Sequence, residues 1–168
     1  MKIVTVLRSG GVYRKEHVET LYEQCKKHAP NREFVCISDQ QDVPGYVKMK
    51  HNWPSWWGKI ETFLIEGPVL YLDLDTIVYR NIEPLINRIS QHKFVCLRDF
   101  YWTPKMERTV GSGVMAWSGN MRFIYDEFAK DPERHMAECT TTRWWGDQGF
   151  IEKCVTGQKY FQDVAPLS

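Results

Sequence analysis

No run of lysine or arginine longer than two occurs in this sequence, and the formal net charge is +1 over 168 residues. A chain that tracks nucleic acid or lies on an anionic membrane needs a concentrated positive field, so neither is expected as the main partner. Long apolar runs are missing too. No purely apolar stretch approaches the roughly 20 residues of a bilayer-crossing helix, so no transmembrane segment is expected. Met1-Lys2-Ile3 leads directly into a strand pattern, and no secretory leader is expected. Cysteine is scarce and ill-spaced for cross-linking: Cys25, Cys36, Cys96, Cys139 and Cys154 form an odd set with no close pair. Small buried thiols in a reducing compartment are expected, rather than a disulfide frame or a zinc site, and the expected location is cytoplasmic. Repeats, low-complexity tracts and linkers are also absent, which leaves one domain over 1–168. With 26% charged and 43% hydrophobic residues, that domain can bury a sizeable core.

The most informative segment is Val69 to Thr76, which reads Val-Leu-Tyr-Leu-Asp-Leu-Asp-Thr. An apolar run without polar alternation is the pattern of a strand buried on both faces, as in the middle of a parallel sheet. Side chains alternate along a strand, so Asp73 and Asp75 are expected on the same side. Two like charges at a buried strand end repel each other and are costly to desolvate, and a bound cation removes both penalties. Ligands of open α/β sheets gather at the carboxyl ends of the strands. The pair therefore predicts a divalent metal site holding a phosphate-bearing substrate.

The order of elements places this strand in context. Ile3–Leu7 is a strand, and Arg8-Ser9-Gly10-Gly11 is a turn. A helix follows over Lys15–His28, with Val18, Leu21, Tyr22 and Cys25 on one face. Phe34–Ser38 returns as a strand, giving the strand-helix-strand crossover of a parallel sheet. Val47–Lys50 predicts a short strand, and Ser55 is the expected N-cap of a helix running to Leu64. Helix Asn81–Ile89, strand Phe94–Arg98, an aromatic loop from Phe100 to Thr109, and strand Gly113–Trp117 after a Gly-Ser-Gly turn come next. Helices over Met121–Ala129, Glu133–Cys139 and Gly146–Val155 complete the chain. The fold class is α/β in a single domain, a mixed sheet flanked by helices. His51, His92 and His135 show no ligand-like spacing.

Seven tryptophans stand out: Trp53, Trp56, Trp57, Trp102, Trp117, Trp144 and Trp145. Core filling is the expectation for most of them. Several neighbour glycine, proline or charged residues, and the apolar face of a pyranose stacks well on an exposed ring.

Three segments carry a resemblance to a known family. These are Leu-Tyr-Leu-Asp-Leu-Asp-Thr at 70–76, Gly-Ser-Gly-Val-Met-Ala-Trp at 111–117 and Gly-Asp-Gln-Gly-Phe-Ile at 146–151. Together the chain, as far as Ile151, resembles GT-A fold glycosyltransferases of the glycogenin-like family 8 and their bacterial relatives. Gly111 stands where the family has asparagine, and Gly149 where it has a second aspartate. The resemblance implies a Rossmann-like nucleotide-diphospho-sugar transferase sheet, a nucleotide-sugar donor (a UDP-sugar), manganese or magnesium, and a glycan, lipid or protein acceptor. It implies Asp75 as direct metal ligand and Asp73 as ligand of the metal or the ribose. Leu7, Arg8, Ser9 and Gly10 would border the nucleotide, and two glycines there let backbone N–H groups come close to a ligand. Lys59 would stand at the diphosphate, with a solvated helix lysine as its plain alternative. Asp147 and Gln148 would act near the anomeric carbon, Asp99 would touch the donor sugar, and transfer would retain configuration. The family's third metal ligand, a histidine in a C-terminal His-x-x-Gly segment, has no counterpart after His135. The expectation is thus a truncated or diverged chain, or a site that water completes, with weak metal binding or no turnover as the consequence.

Two other classes fit parts of the pattern. Four hydrophobes followed by Asp-x-Asp-x-Thr also open haloacid-dehalogenase-like phosphatases, where the first aspartate is a nucleophile; that fold, however, carries the motif on its first strand. A degenerate, non-catalytic nucleotide-sugar binder is the other alternative.

Overall fold

Val, Ile, Leu and Cys crowd the central strands, and neither side of those strands meets water. In the computed structural model, which describes residues 1–100 and 109–164, the strands are β1 (Lys2–Leu7), β2 (Phe34–Ser38), β3 (Tyr46–Lys48), β4 (Val69–Leu72), β5 (Phe94–Arg98), β6 (Val110–Trp117) and β7 (Lys159–Tyr160). They form one sheet in the order β3-β2-β1-β4-β6-β5-β7. The β3, β2, β1 and β4 strands run parallel, while β6 lies antiparallel between β4 and β5.

This arrangement collects chemistry at one edge. The parallel strands β1, β2 and β4 end there, and β5 ends beside the start of β6, with Arg98 opposite Val110. Antiparallel β6 therefore enters at the edge the others leave. Leu72 pairs with Val114, and the Asp73 N–H donates to the Gly113 carbonyl at 2.8 Å.

Helices cover both faces, as sheet strands with two apolar faces require. Behind one face lie α1 (Lys15–His28), α2 (Glu83–Ile89) and α6 (Phe161–Val164). There Val18, Leu21, Ile86 and Phe161 pack with Ile3, Leu70 and Val95. Against the other face lie the 3₁₀ segment Ser55–Leu64, α3 (Arg122–Lys130) and α5 (Gly146–Cys154). Trp57, Ile60, Phe63, Phe128 and Phe150 meet Val4, Tyr71, Met115 and Trp117 there. Helix α4 (Pro132–Glu138) is capped by Asp131, whose carboxylate accepts from the Arg134 N–H.

Several local expectations change. Ser55–Leu64 is 3₁₀ rather than α-helical, and Ser55 does not cap it; Pro54 precedes the segment and no side chain caps it. Gly111-Ser112-Gly113 is not a turn. It is the first part of β6: Gly111 pairs with Leu97, while Ser112 and Gly113 fall within the register shift between Cys96 and Leu97. The three residues of that shift, Ser112, Gly113 and Val114, carried no periodic signal. The two-residue strand β7 was equally silent. The predicted aromatic loop lies, at 101–108, outside the described residues. All five cysteines are free thiols. Among the described residues no helix is long and apolar enough to cross a membrane.

The turn between β2 and β3 depends on a missing side chain. Gly45 has φ +66°, and a Cβ on it would fall 2.4 Å from the Phe34 carbonyl oxygen. Its own carbonyl accepts from the Cys36 N–H at 2.8 Å, so the residue cannot retreat without breaking the sheet edge. Gly45→Ala is expected to lower stability by roughly 2 kcal/mol or more, from left-handed strain plus backbone overlap. Urea unfolding measures this; an unchanged midpoint would show that the turn gives way freely.

Candidate functional site

A cleft of about 720 Å³ opens at the strand edge just described. Its lining comes from the end of β1 and the following turn (Leu7 to Tyr13), from Ser55, Trp56 and Lys59, from Tyr71, Asp73 and Leu74, from Asp99, from Gly111 to Gly113, and from Trp145, Asp147 and Gln148. Leu7, Arg8, Ser9, Gly10, Lys59, Asp73, Asp99, Asp147 and Gln148 are thereby brought together from five separate stretches of chain. Asp75 is not part of this lining.

The floor is an ion cluster. Lys59 is buried, its ammonium 3.1 Å from Asp73 Oδ1 and 3.1 Å from Asp147 Oδ2. It also donates to Ser112 Oγ at 3.1 Å, and the Ser112 hydroxyl donates to Asp147 Oδ2 at 2.6 Å. Tyr71 donates its hydroxyl to Asp73 Oδ1. An ammonium has three donors, and Asp73, Asp147 and Ser112 occupy them. Lys59 is thus neither a solvated helix lysine nor a free cation waiting at a phosphate.

Burial and charge compete within this cluster. Burial pulls the Lys59 ammonium down, but the carboxylates of Asp147 and Asp73 outweigh it and the net direction is up. Burial pushes the Asp73 carboxyl up, and Lys59 and the Tyr71 hydroxyl only partly offset that. The Tyr71 hydroxyl moves well above its usual range, through burial and then through Asp73. The cluster holds together because each carboxylate has a cation or a donor within reach.

The two aspartates of the Asp-x-Asp segment part company. Strand β4 ends at Leu72, and the Thr76 N–H donates to the Asp73 carbonyl at 3.0 Å, closing a turn over 73–76. Strand alternation therefore does not govern the pair, and the expected common facing is corrected. Asp73 turns inward to Lys59. Asp75 is exposed and accepts from the Tyr13 hydroxyl at 2.9 Å. Tyr13 lines the cleft, and its phenol is pushed up to about 12, by burial and then by Asp75, with Asp73 adding to the effect. Asp75 thus meets the cleft through Tyr13 and itself lines a neighbouring depression beside α1.

The remaining predicted residues fall into two groups. Arg8 Nη2 donates to Asn52 Oδ1 at 2.6 Å, whereas its buried Nε has no partner among the described residues. Ser9 donates both its N–H, at 3.0 Å, and its hydroxyl to the Asp39 carboxylate, which braces the turn over β1. Across the cleft Gln148 Nε2 donates to Asp99 Oδ2 at 2.9 Å. The departure at Gly149 has a steric reason: a Cβ there would stand 2.8 Å from the Trp144 carbonyl carbon, so no aspartate fits. Sequence reasoning missed Tyr13, Tyr71, Ser112 and Asp39. Tyr71 was in plain view within the β4 motif, two residues before Asp73; the others needed the tertiary structure. Among the described residues no three His, Cys, Asp or Glu side chains form a set able to hold a metal ion.

Solved structures share this architecture at low identity. The glycosyltransferase GlyE of Streptococcus pneumoniae superposes with a TM-score of 0.68 and 15% identity, over 96% of this chain and 46% of that one. The galactosyltransferase LgtC, solved with donor and acceptor sugar analogues, gives 0.59 and 13%, over 95% and 73%. A 4-diphosphocytidyl-2C-methyl-D-erythritol synthase of Anaerococcus prevotii gives 0.56 and 11%, over 95% and 87%. The chain has the GT-A fold. It spans just under half the length of GlyE. No family model and no curated protein matches the sequence. The GT-A sheet also removes the dehalogenase alternative, since the acid pair follows the fourth strand in chain order, not the first.

The ion cluster predicts a pH-dependent penalty. Lys59→Met leaves Asp73 and Asp147 buried without their counter-ion, at an expected cost of about 3–5 kcal/mol near neutrality. The Asp73 carboxyl, already pushed up by burial, would without Lys59 hold its proton still more tightly folded than unfolded. A native state that binds more protons loses stability as pH rises, so the penalty should grow from about pH 5 to pH 7. Urea unfolding of wild type and variant at both pH values tests this; a pH-independent difference would refute the pairing.

Proposed function

We propose that the chain is a metal-dependent glycosyltransferase of the glycogenin-like type, moving a sugar from a UDP-sugar to an acceptor hydroxyl with retention of configuration. The observation that carries this reading is an acidic cleft at the carboxyl ends of β1 and β4 in a GT-A sheet. Among the described residues Asp73, Asp99 and Asp147 line it, and Asp75 touches its Tyr13, against Arg8 and Lys59. A diphosphate is anionic, and this set of charges would repel it unless a further cation entered with it.

The residues fit such a cation. A hard divalent ion shared with substrate phosphates needs only one or two carboxylates from the protein, the rest coming from phosphate and water. Asp75, which accepts a hydrogen bond from Tyr13, would be its direct ligand, while Asp73, held by Lys59 and Tyr71, would face it from the cleft floor. Bound there, manganese or magnesium supplies neutralising charge to the departing diphosphate. Arg8, which lines the same cleft, and the N–H groups of the Ser9-Gly10 turn meet the nucleotide. Lys59 stays with Asp73 and Asp147 and fixes their positions. Asp147 stabilises positive charge as it develops on the sugar, and Gln148, held by Asp99, orients the ring. The acceptor oxygen bonds to the anomeric carbon on the face the diphosphate leaves. The broken bond's electron pair departs with the diphosphate, and the acceptor proton follows it.

A panel of UDP-sugars with manganese, assayed for free UDP, tests this reading. UDP release above background is expected for one donor. Tight UDP binding without sugar release from any donor would favour the non-catalytic binder, and pyrophosphate release would mark nucleotidyl transfer instead. Asp75→Asn should weaken manganese-dependent UDP binding at least about tenfold by calorimetry, with unchanged unfolding. Unaltered binding would remove Asp75 from the site.

A further inference from the structure

Burial separates the described tryptophans. Trp53, Trp57 and Trp117 are core residues, and Trp144 is half-buried with the Arg143 guanidinium 3.7 Å from its ring centroid. Trp56 and Trp145 differ: 46% and 49% of their surface meets solvent. Both line the cleft, with ring centroids 6.4 Å apart and planes inclined by 40°. Two large apolar faces left in water at one cleft mouth are costly without an occupant.

The backbone around these rings is also irregular. Ser55, directly before Trp56, has φ +53°, the only non-glycine residue among those described with positive φ. Gly146, directly after Trp145, has φ +58°, and a Cβ on it would fall 2.8 Å from Trp56 Nε1. The absent side chain at 146 is what lets the Trp56 indole lie against the start of α5. Left-handed strain at a non-glycine residue persists where surrounding structure enforces it, and such residues cluster at ligand sites.

We propose that Trp56 and Trp145 form the acceptor subsite, a stacking platform for the pyranose ring of a glycan; this rests on the transferase reading above. A pyranose has one face of C–H groups that packs on an indole and a rim of hydroxyls that needs polar partners. Ser55, Asp99 and Gln148 line the same cleft and supply them. An alkyl chain in this place would strip water from those groups without replacing their hydrogen bonds. The half-exposed rings suit a ligand that continues outward, as an oligosaccharide does, whereas a donor sugar is tied to the diphosphate at the floor.

The test uses indole ¹⁵N–H spectra of the full chain. Methyl glycosides of cellobiose, maltose, lactose and chitobiose are titrated without nucleotide, up to about tens of mM, because isolated acceptor subsites bind weakly. The expected result is movement of two indole signals by at least one of these sugars. Trp56→Ala and Trp145→Ala each remove the saccharide response, Trp145→Phe keeps it within a few-fold, and UDP affinity stays within about twofold of wild type. If no sugar moves either signal, or if the alanine variants weaken UDP binding while sugar response persists, the proposal is overturned. Loss of UDP binding in the wild type would count against the transferase reading alone, since the saccharide titration needs no nucleotide.

Discussion

The cleft rests on one buried ammonium. Lys59 has 7% of its side chain exposed, Asp147 8% and Asp73 30%. Removing three charges from water is costly unless each finds a partner at close range, and here one cation serves two carboxylates while Ser112 completes its coordination. The three charged groups come from the 3₁₀ segment, the end of β4 and the first turn of α5. The cluster is therefore the tie that fixes the sheet edge against the layer of helices in front of it. Each tied element also carries a residue that faces the cleft.

Topology decides which residues can meet there. Parallel β1, β2 and β4 all end at one edge, so Arg8, Asp39 and Asp73 arrive together from distant sequence positions. Antiparallel β6 then brings Ser112 and Gly113 to the same edge by starting where the others stop. A Cβ on Gly113 would lie 3.4 Å from Asp73 Oδ2, which shows how closely this strand passes the carboxylate. The bulge between Cys96 and Leu97 sits at the same end of β5, which stops at Arg98 with Asp99 next in the chain.

Much of this was legible in the residues alone. Unbroken apolar runs marked β1, β2, β4 and β5, and the heptad-like spacing of Val18, Leu21, Tyr22 and Cys25 marked α1. The acid-ended strand marked the site. What the pattern could not convey was where a strand stops. Asp73 and Asp75 alternate with leucines as if still extended, yet the chain turns after Leu72, and the choice was made by Lys59 and Tyr71 reaching Asp73 from elsewhere. For Lys59 the residues left a diphosphate contact and a solvated lysine equally open, because its partners lie 14 and 88 positions away. Ser55 had the chemistry of an N-cap but sits in a left-handed conformation, since the segment it opens is 3₁₀ and packs Trp57 and Ile60 into the core. Long-range ion pairing and turn geometry are tertiary properties, and no local periodicity encodes them.

The cleft is built in two grades of order. At the floor, the charged groups are fixed by short contacts on several sides, and a shift of any one would leave a buried charge without its partner. At the mouth, the two exposed indoles face each other with ring centroids 6.4 Å apart, and Asp75, beyond Tyr13, accepts from that phenol. Fixed charge below and adaptable surface above match different demands. Charge that develops during a reaction is best met by groups already in place, because reorganising dipoles at that moment costs energy. A ligand that enters from solvent and continues outward needs surfaces that shed water readily and accept more than one orientation. Ser55 and Gly146 stand at the boundary between these regions, each one residue from an exposed ring, and Gly146 also one residue from the buried Asp147. Two of the chain's left-handed backbone positions thus fall where the rigid floor meets the open mouth.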